Sequence, residues 1–594
     1  MRSRPHRLWL LVFLAALAPP AWAQLAPLGG EFVVNDSTTG GQLDAAVASD
    51  GSGRFVVVWT SIYGSAGSDT SDASVHARRF DATGAPLGPQ FQVNTYTTGK
   101  QFQPSVAVDA AGGFLVVWTS LASDGPDTDF NSVQGQAFDP VGVPLGAQFQ
   151  VNTYTTANQD RPAATSVGPG RFVVAWESNG SNTDPYTFSI QARRFDTSGA
   201  PLSGEFQVNS YTTGQQYAPA VTHDGGGNFV VVWESAGSAG PDKLLKSVQS
   251  RRFDGAGNPL SPQVQVNTYT TGDQFEPAVA SDAAGNFVVT WRSNPGSGYD
   301  TSLSGIMARR FDPGAGPLGG EFNVNVLTSG TQRAPAVATD SAGNFVVTFF
   351  SYVTPGNDSS YGSVQARRFS GNGVFGGNQF QVNTVTPSGQ EPNAIDANVN
   401  DAFIVLWGGN GDVRAQRYGT GRPIRGGRLL VKDRTGDEVK RKVIFIAKDL
   451  DPSIPNVIGD PTTEGGTLRI ALTGGTPSDE TFVLDPDGWT AIGSTGFAYT
   501  GPTGADGDPV RRVLIKRTPR GKAILKAILA GNVGTQSLDV VPPNPGGQAH
   551  LVLTIPGGGV YCTSFGGGDE GLEIVDDPGR WKMLTASGKS CPEL

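Results

Sequence analysis

Five arginine pairs, Arg78-Arg79, Arg193-Arg194, Arg251-Arg252, Arg309-Arg310 and Arg367-Arg368, carry the most obvious anion-clamping chemistry in the chain. A guanidinium offers a planar fork of donors that matches a carboxylate. A catalytic cluster occupies one place, whereas these pairs recur at one position in successive copies of a repeated unit, beside Asp81, Asp196, Asp254 and Asp312. Recurrence therefore assigns them to structural ion pairs. Asp127-Thr-Asp129-Phe-Asn131 alternates oxygen ligands as a calcium loop does, but lacks the glycine and the distal glutamate of an EF-hand. No cofactor is expected, and calcium held by Asp127, Asp129 and Asn131 is the alternative to a solvated loop. His76, His223 and His550 lie far apart in sequence without metal-pair spacing, and read as packed or surface residues. Neither a nucleophile elbow nor a phosphate-cradling loop occurs, so the chain is expected not to be an enzyme. Cys562 and Cys591, the only two cysteines, are expected to form a disulfide.

The element that positions most of these residues is a unit present seven times in residues 30–419 and marked by Asn35, Asn94, Asn152, Asn209, Asn267, Asn325 and Asn383, at intervals of 57–59 residues. Units of this length cannot bury their own apolar face and must stack or close into an array. The fifth copy shows the plan: Pro277 to Asp282, a turn through Gly285, Asn286 to Trp291, a polar loop, Ile306 to Asp312, a Gly/Pro turn, and Glu321 to Asn325. Each copy thus reads as four strands. The second, as in Phe55-Val-Val-Val-Trp59, Phe114 to Trp118 or Phe229 to Trp233, is apolar at every position. Side chains alternate between the two faces of a strand, so such a run needs cover on both sides. Sheets stacked in this way around an axis form a β-propeller. The loops between second and third strands, Ser61 to Ser74, Ser120 to Ser132 and their equivalents, vary where the strands do not, and share a face with the Tyr-Thr-Thr segments at Tyr96, Tyr154, Tyr211 and Tyr269. Variable loops on a rigid scaffold are where binding resides, which makes those tyrosines the candidate ligand contacts.

The strand order, with Pro-x-x-x-x-Asp opening the innermost strand, resembles the WD-repeat and TolB-type propellers. That resemblance implies that Phe-x-Val-Asn is the outermost strand of the preceding blade. Phe32 to Asn35 then completes the seventh blade, whose own last strand, Asp412 to Tyr418, has none following it. The fold expected is all-β: a seven-bladed β-propeller closed by the N-terminal strand, followed by a β-sandwich domain. The Phe-x-Val-Asn, Phe-Val-Val-Val-Trp and Ala-Arg-Arg-Phe-Asp runs also resemble repeats of large bacterial secreted and surface proteins with calcium-binding or adhesin-like modules. The arginines invite comparison with sialidase propellers, and the turns at Asp109, Asp282 and Asp340 resemble the sialidase Asp-box with one residue too many between Asp and Gly. Hairpin turn chemistry accounts for them.

Residues 1–23 read as a secretory signal peptide: Arg2, Arg4 and Arg7, an apolar stretch from Leu8 to Ala18, and Ala21-Trp22-Ala23 before Gln24. No segment has the roughly 20 apolar residues of a membrane helix. From residue 420 the period stops. Arg428 to Lys432, Lys442 to Ala447, Thr467 to Leu472, Val510 to Lys516, His550 to Thr554 and Val560 to Phe565 read as the strands of a β-sandwich. Its Leu-Val-Lys-Asp, Tyr-Cys-Thr-Ser-Phe-Gly-Gly and final Cys-Pro runs resemble a C-terminal domain of uncharacterised myxobacterial-type secreted proteins. Lys440-Arg441-Lys442 reads as a solvated strand end. The net charge of −10 belongs to the repeats, because residues 420–594 hold 20 basic and 20 acidic residues. Acidic repeats repel phosphate backbones, so nucleic acid is not an expected partner. The role expected is a monomeric, secreted or cell-surface (extracellular, alternatively periplasmic) binding protein that engages a glycan or protein. The alternatives are a structural envelope component and a sialidase- or lyase-like enzyme.

Overall fold

The structure is a computed structural model. It describes residues 25–584 except for short loop segments, the longer being 64–71, 182–186, 295–302, 353–361, 385–389, 398–401, 434–439, 450–459, 502–508, 532–537, 541–545 and 566–571. The signal-peptide reading lies outside the described residues.

The second strand of each copy dictates the packing. In Phe55–Ile62, residues Phe55 to Ser61 are all buried. Phe55, Val57 and Trp59 point into one apolar cluster with Ile404, Leu406 and Ala415 of the last copy. Val56 and Val58 point into another with Val116, Trp118 and Phe138 of the second copy. The two-residue period of the strand thus feeds two interfaces from one segment. The same division recurs down the chain, and the seventh cluster joins the sixth copy to Phe403, Val405 and Trp407 of the last.

Among the described residues the repeats form six four-stranded antiparallel sheets and a five-stranded seventh. The first comprises Gly41–Ser49, Phe55–Ile62, Ala73–Phe80 and Phe91–Gln92, paired in that order. The seventh comprises Glu391–Ala397, Ala402–Gly409 and Asp412–Thr420, and its outer edge is taken by the start of the chain. Phe32 pairs with Ala415 and Val33 with Arg414. Leu25–Pro27 adds a pairing the repeat pattern did not suggest, with Leu25 opposite Thr420. Each innermost strand packs on the next, and Glu391–Ala397 packs on Gly41–Ser49.

The marker asparagines hold the outer strands, which are only two residues long. All seven are buried. In each, the side-chain oxygen accepts a backbone N–H of the third strand, from Val413 to Asn35 (2.9 Å) through Ile190 to Asn209 (2.8 Å) to Val364 to Asn383 (2.9 Å). The amide nitrogen, where it faces the Tyr segments, donates to a carbonyl two residues on, as from Asn209 to Tyr211 at 2.9 Å. The next N–H groups then donate to a Gln or Glu on the following sheet. Asp36 reaches Gln90, Thr95 reaches Gln148, Thr153 reaches Glu205, Ser210 reaches Gln263, Thr268 reaches Glu321, Val326 reaches Gln379, and Thr384 reaches Glu31.

The arginine pairs are structural, but mostly not through the acids that follow them. The first arginine donates back to an outer-strand carbonyl of the preceding sheet: Arg78 to Val34, Arg193 to Val151, Arg251 to Val208, Arg309 to Val266 and Arg367 to Val324, at 2.8–3.0 Å. The second reaches forward to a turn, as from Arg194 to Ala256, or pairs with an acid on its own sheet, Arg252–Asp224 (2.6 Å) and Arg368–Asp340 (3.3 Å). Asp196, Asp254 and Asp312 instead close their own turns, each accepting the N–H groups two and four residues on. Asp109, Asp282 and Asp340 do likewise, as hairpin chemistry requires.

Beyond residue 420 a five-stranded and an eight-stranded sheet share one apolar core. Leu429, Val431, Val443 and Phe445 of the larger meet Leu468, Ile470, Leu551 and Leu553 of the smaller. Ala523–Ala530, absent from the sequence reading, lies between Val510–Arg517 and Lys442–Asp449. Its alanines recur at i, i+4 and i+7 among Leu and Lys, so from sequence it reads as helix as readily as strand. Arg441 is not a solvated strand end: it donates to Leu538 O at 2.7 Å and pairs with Asp433 at 2.9 Å. Arg422–Pro423 pairs in parallel with Tyr561 and Cys562, and Leu28 and Ala402 pack on Val552 and Cys562.

Replacing Asn209 by Ala orphans the Ile190 N–H and a carbonyl of the turn. Each orphaned group costs about 1–3 kcal/mol. Urea unfolding of Asn209→Ala should show that loss, and a change within about 0.5 kcal/mol would remove the asparagines from the set of residues that hold the sheets.

Candidate functional site

At one end of the innermost strands every sheet carries a β-bulge. The register slips between Leu43 and Ala46, Phe102 and Ser105, Asp160 and Ala163, Tyr217 and Ala220, Phe275 and Ala278, Arg333 and Ala336, and Pro392 and Ala394. In six sheets the extra residue takes a left-handed conformation: Asp44, Gln103, Arg161, Ala218, Glu276 and Ala334, at φ from 48° to 55°. None of them is glycine, so each conformation carries strain that the surrounding pairing must hold in place.

A bulge frees a backbone N–H from the ladder, and here the preceding sheet satisfies it. Gln103 donates to Thr60 (3.2 Å), Arg161 to Thr119 (3.2 Å), Ala218 to Glu177 (3.0 Å) and Glu276 to Glu234 (2.8 Å). The acceptors all occupy one repeat position, the residue after the buried aromatic of the second strand. The repeat is nearly uniform elsewhere, yet this position reads Thr60, Thr119, Glu177, Glu234, Arg292, Phe350 and Gly408. The bulge position and the one before it vary equally. Within the strands, one ring of positions has therefore diverged while its neighbours stayed nearly constant.

The diverged residues interact with one another. Glu234 pairs with Lys246 at 2.9 Å, and the Lys246 ammonium lies 5.5 Å from the Tyr217 ring centre and 5.8 Å from that of Phe275. Arg292 lies 4.7 Å from the Phe275 ring centre and pairs with Glu276 at 3.1 Å. Arg333 lies 4.8 Å from the Phe350 ring centre and 5.7 Å from that of Tyr352, which is exposed. Burial pushes the carboxyls of Glu177, Asp160 and Asp44 above their ordinary values, with Arg161 opposing the effect at Glu177. Burial, with Glu177 beside it, likewise raises the Tyr217 phenol. The Tyr217 hydroxyl donates to Gln215 rather than to a carboxylate. An open cavity of about 410 Å³ lies at this mouth, lined by Asp44, Gln103 and Arg161 and by Pro104, Pro162 and Pro219.

The four tyrosines singled out from sequence, Tyr96, Tyr154, Tyr211 and Tyr269, do not line that cavity. They follow the outermost strands, where their backbones serve the asparagine ties, while their rings are half-buried. The calcium candidates take separate partners. Asp127 is buried and accepts from Asn152 at 2.9 Å, Asn131 donates to Asp160 at 2.6 Å, and Asp129 lies outside the described residues. Asp242 repeats the Asp127 arrangement in the fourth copy: Ser123 and Ser238 bond the carbonyls of Asp127 and Asp242, and Gln150 and Gln265 accept their N–H groups. His76 stacks on Trp59 with ring centres 6.0 Å apart. His550 lies half-buried on Gly546–Ile555. Cys562 is buried on Gly559–Phe565, and Cys591 lies outside the described residues. Among the described residues no helix is long and apolar enough to cross a membrane.

The opposite end of the innermost strands lines a second cavity of about 400 Å³. Small residues dominate it, and hydroxyls bridge neighbouring sheets, as between Thr222 and Ser281 and from Thr339 to Ser281 O. Two residues break its pattern. His223 bonds Thr165 at 3.1 Å, and Asp396 stands where other copies have Ala48, Ala107 or Thr165. Ser49 of the first sheet donates to Asp396 of the seventh, and burial pushes that carboxyl up to about 6.

No described protein family matches the chain, and no curated protein resembles it in sequence. Solved structures do. A protein of unknown function from Dyadobacter fermentans is 11% identical over 66% of this chain and 99% of its own, with a TM-score of 0.40. The α-L-arabinofuranosidase Arb93A from Fusarium graminearum is 12% identical over 59% and 98%, with a TM-score of 0.35. The NanB sialidase from Streptococcus pneumoniae is 10% identical over 66% and 70%, with a TM-score of 0.36. At these TM-scores the likeness carries no argument about ligand or reaction here.

A carboxyl whose folded pKa lies above its unfolded value binds more protons in the folded state. Its contribution is therefore favourable at low pH and is lost as pH rises from about 4 to about 6. Asp396→Asn should raise the thermal midpoint at pH 7.5 and have little effect at pH 3.5. The gain is bounded near 3 kcal/mol by the size of the shift. Equal midpoints for the two proteins at both pH values would contradict a raised Asp396 pKa in the folded state.

Proposed function

We propose that the chain is a secreted, non-enzymatic binding protein that engages a glycan or protein through the bulged face. Its scaffold is a seven-bladed propeller closed by the N-terminal strand, spanning 30–419, with a β-sandwich at 420–594. The reading of closure is supported by the pairing of Phe32–Val33 with Asp412–Thr420 and by the ties that run from Asp36 to Gln90 and from Thr384 to Glu31. The observation that carries the functional reading is the divergence of the bulge ring. Residues free of any folding role would drift singly, but Tyr217, Lys246, Phe275, Arg292 and Glu276 form one connected polar and aromatic surface. Such surfaces supply both stacking faces and hydrogen bonds to a ligand. A glycan-active enzyme is the second reading, favoured by raised carboxyls at Asp160 and Glu177 near Tyr217. The bond from the Tyr217 hydroxyl to Gln215 counts against a tyrosine nucleophile.

Binding of the secreted protein to a broad glycan array, with and without added calcium, tests both the binding and the calcium readings. Saturable binding that Phe275→Ala and Arg292→Ala weaken at least tenfold is the expected outcome. A blank array in both conditions would move the ligand to a protein. Turnover of fluorogenic glycosides that Glu177→Gln abolishes would replace the binding reading with the enzymatic one. Peptide mapping without reductant should recover Cys562 cross-linked to Cys591, and two free thiols would exclude that bridge.

A further inference from the structure

The geometry points to the cavity bounded by Asp44, Gln103 and Arg161 as a subsite for one saccharide ring that presents neighbouring hydroxyls. This rests on the binding reading above and narrows it to three residues and one ligand class.

The three side chains occupy the same repeat position on the first, second and third sheets, and they line one open cavity of about 410 Å³. That volume falls in the range of small-molecule sites, roughly 300–1,000 Å³. Their chemistry is complementary. A carboxylate only accepts, a guanidinium only donates, and a carboxamide does both. An anionic ligand would meet Asp44, and a cationic one would meet Arg161. A hydroxyl both donates and accepts, so a ring bearing several satisfies all three groups at once. Pro104, Pro162 and Pro219 also line the cavity and supply apolar surface for the C–H face of such a ring. Arg161 retains capacity for a ligand: its side chain is 51% exposed, and its contact with Glu177 is a long 3.5 Å. Asp44 accepts from Thr60 at 3.3 Å, which fixes its carboxyl at the cavity wall.

The backbone holds these groups in advance of binding. All three sit at φ of 50–53° beside a bulge, and the Thr60 and Thr119 hydroxyls fix the chain at Gln103 and Arg161. Fixed groups lose little entropy on binding, which raises affinity without new contacts. The fourth and sixth sheets carry Ala218 and Ala334 at this position. Alanine is therefore compatible with the fold there, and a polar side chain is not needed to build the bulge. The same comparison supplies test variants whose backbone is already present in the molecule.

The experiment is saturation-transfer NMR on the full secreted protein with the methyl glycosides of glucose, galactose, mannose, xylose and glucuronic acid, and with the dipeptide Gly-Gly as a zwitterionic control. Wild type should show saturable transfer from at least one glycoside. Arg161→Ala and Gln103→Ala should each weaken it at least tenfold. Arg161→Lys, which keeps the charge and loses the fork, should weaken it to an intermediate degree. Tyr96→Ala should leave it unchanged. Glycoside binding that survives Arg161→Ala and Gln103→Ala would overturn the subsite while leaving the wider binding reading intact. Transfer from Gly-Gly alone would replace the saccharide by a zwitterion and overturn the ligand class. Silence from every glycoside, together with a blank array, would remove the subsite and the glycan reading together.

Discussion

A strand that is apolar on both faces demands a sheet on each side, and the rest of this molecule follows from that demand. Trp59 and Val58 are neighbours in sequence, yet they belong to cores shared with different sheets. Every copy has the same requirement, so no sheet can be terminal without exposing half of its second strand. A solenoid would meet this with polar caps. Here the first and last copies are as apolar as the others, and each covers the other: Ile404 and Leu406 lie against Val57 and Trp59. Burying this surface contributes roughly 25 cal/mol per Å² of apolar area, a gain no single copy could make alone.

Apolar contact does not fix how two sheets are rotated or slid against each other, so polar ties must. The marker asparagine is suited to this because its side chain carries both an acceptor and a donor. It replaces the backbone pairing lost where a two-residue strand ends. The Gln or Glu on the next sheet then accepts the following N–H groups, and the first arginine of each pair donates back to an outer carbonyl. Each sheet is thus tied to its neighbours by directional bonds at its outer edge, and by shape at its centre. The arginines need no acid for this. A carbonyl acceptor avoids the cost of burying a second charge, which explains why the adjacent aspartates are left to close their own turns.

The period, the strands and the covered second strand were all legible in the chain, because they arise from local alternation and from residues repeated at fixed intervals. Pairing of Phe32–Val33 with the last sheet was legible for the same reason: a copy without an outer strand and an outer strand without a copy complete each other. The site was less legible. Tyr96, Tyr154, Tyr211 and Tyr269 drew attention because they share a face with the variable loops, and they lie away from the bulge cavity. Asp127 drew attention for its alternating oxygens, and Asp242 makes the same main-chain bonds in another copy. The useful signal was the opposite one. Between the constant Gln that opens each innermost strand and the constant aromatic of the second strand, a few positions refuse to repeat. Those positions face the bulges, and bulges leave no mark in strand propensity, so only comparison of the copies position by position could have found them.

A repeated scaffold with one diverged ring also explains why the strain sits where it does. Six of the twelve left-handed, non-glycine residues among the described residues sit at the bulges, and each must be held by its surroundings. Placed at equivalent points on neighbouring sheets, five of them share one solution: the freed N–H of Gln103, Arg161, Ala218, Glu276 and Ala334 is taken by a side chain of the preceding sheet. The acceptor can be Thr60 or Glu234, so the scaffold tolerates different chemistry at the same point, and that tolerance lets the face diverge without loss of fold. The ties at the outer edge and the bulges at the centre therefore divide the labour. The outer edge keeps its asparagines because their bonds set the geometry, and the mouth varies because its freed N–H groups take acceptors as different as Thr60, Glu234 and Glu276. The second unit bears on the edge rather than the mouth. Val552 and Cys562 pack on Leu28 and Ala402, beside the strands where the chain's beginning meets the seventh sheet. A brace at that seam protects the one sheet whose strands come from both ends of the repeats.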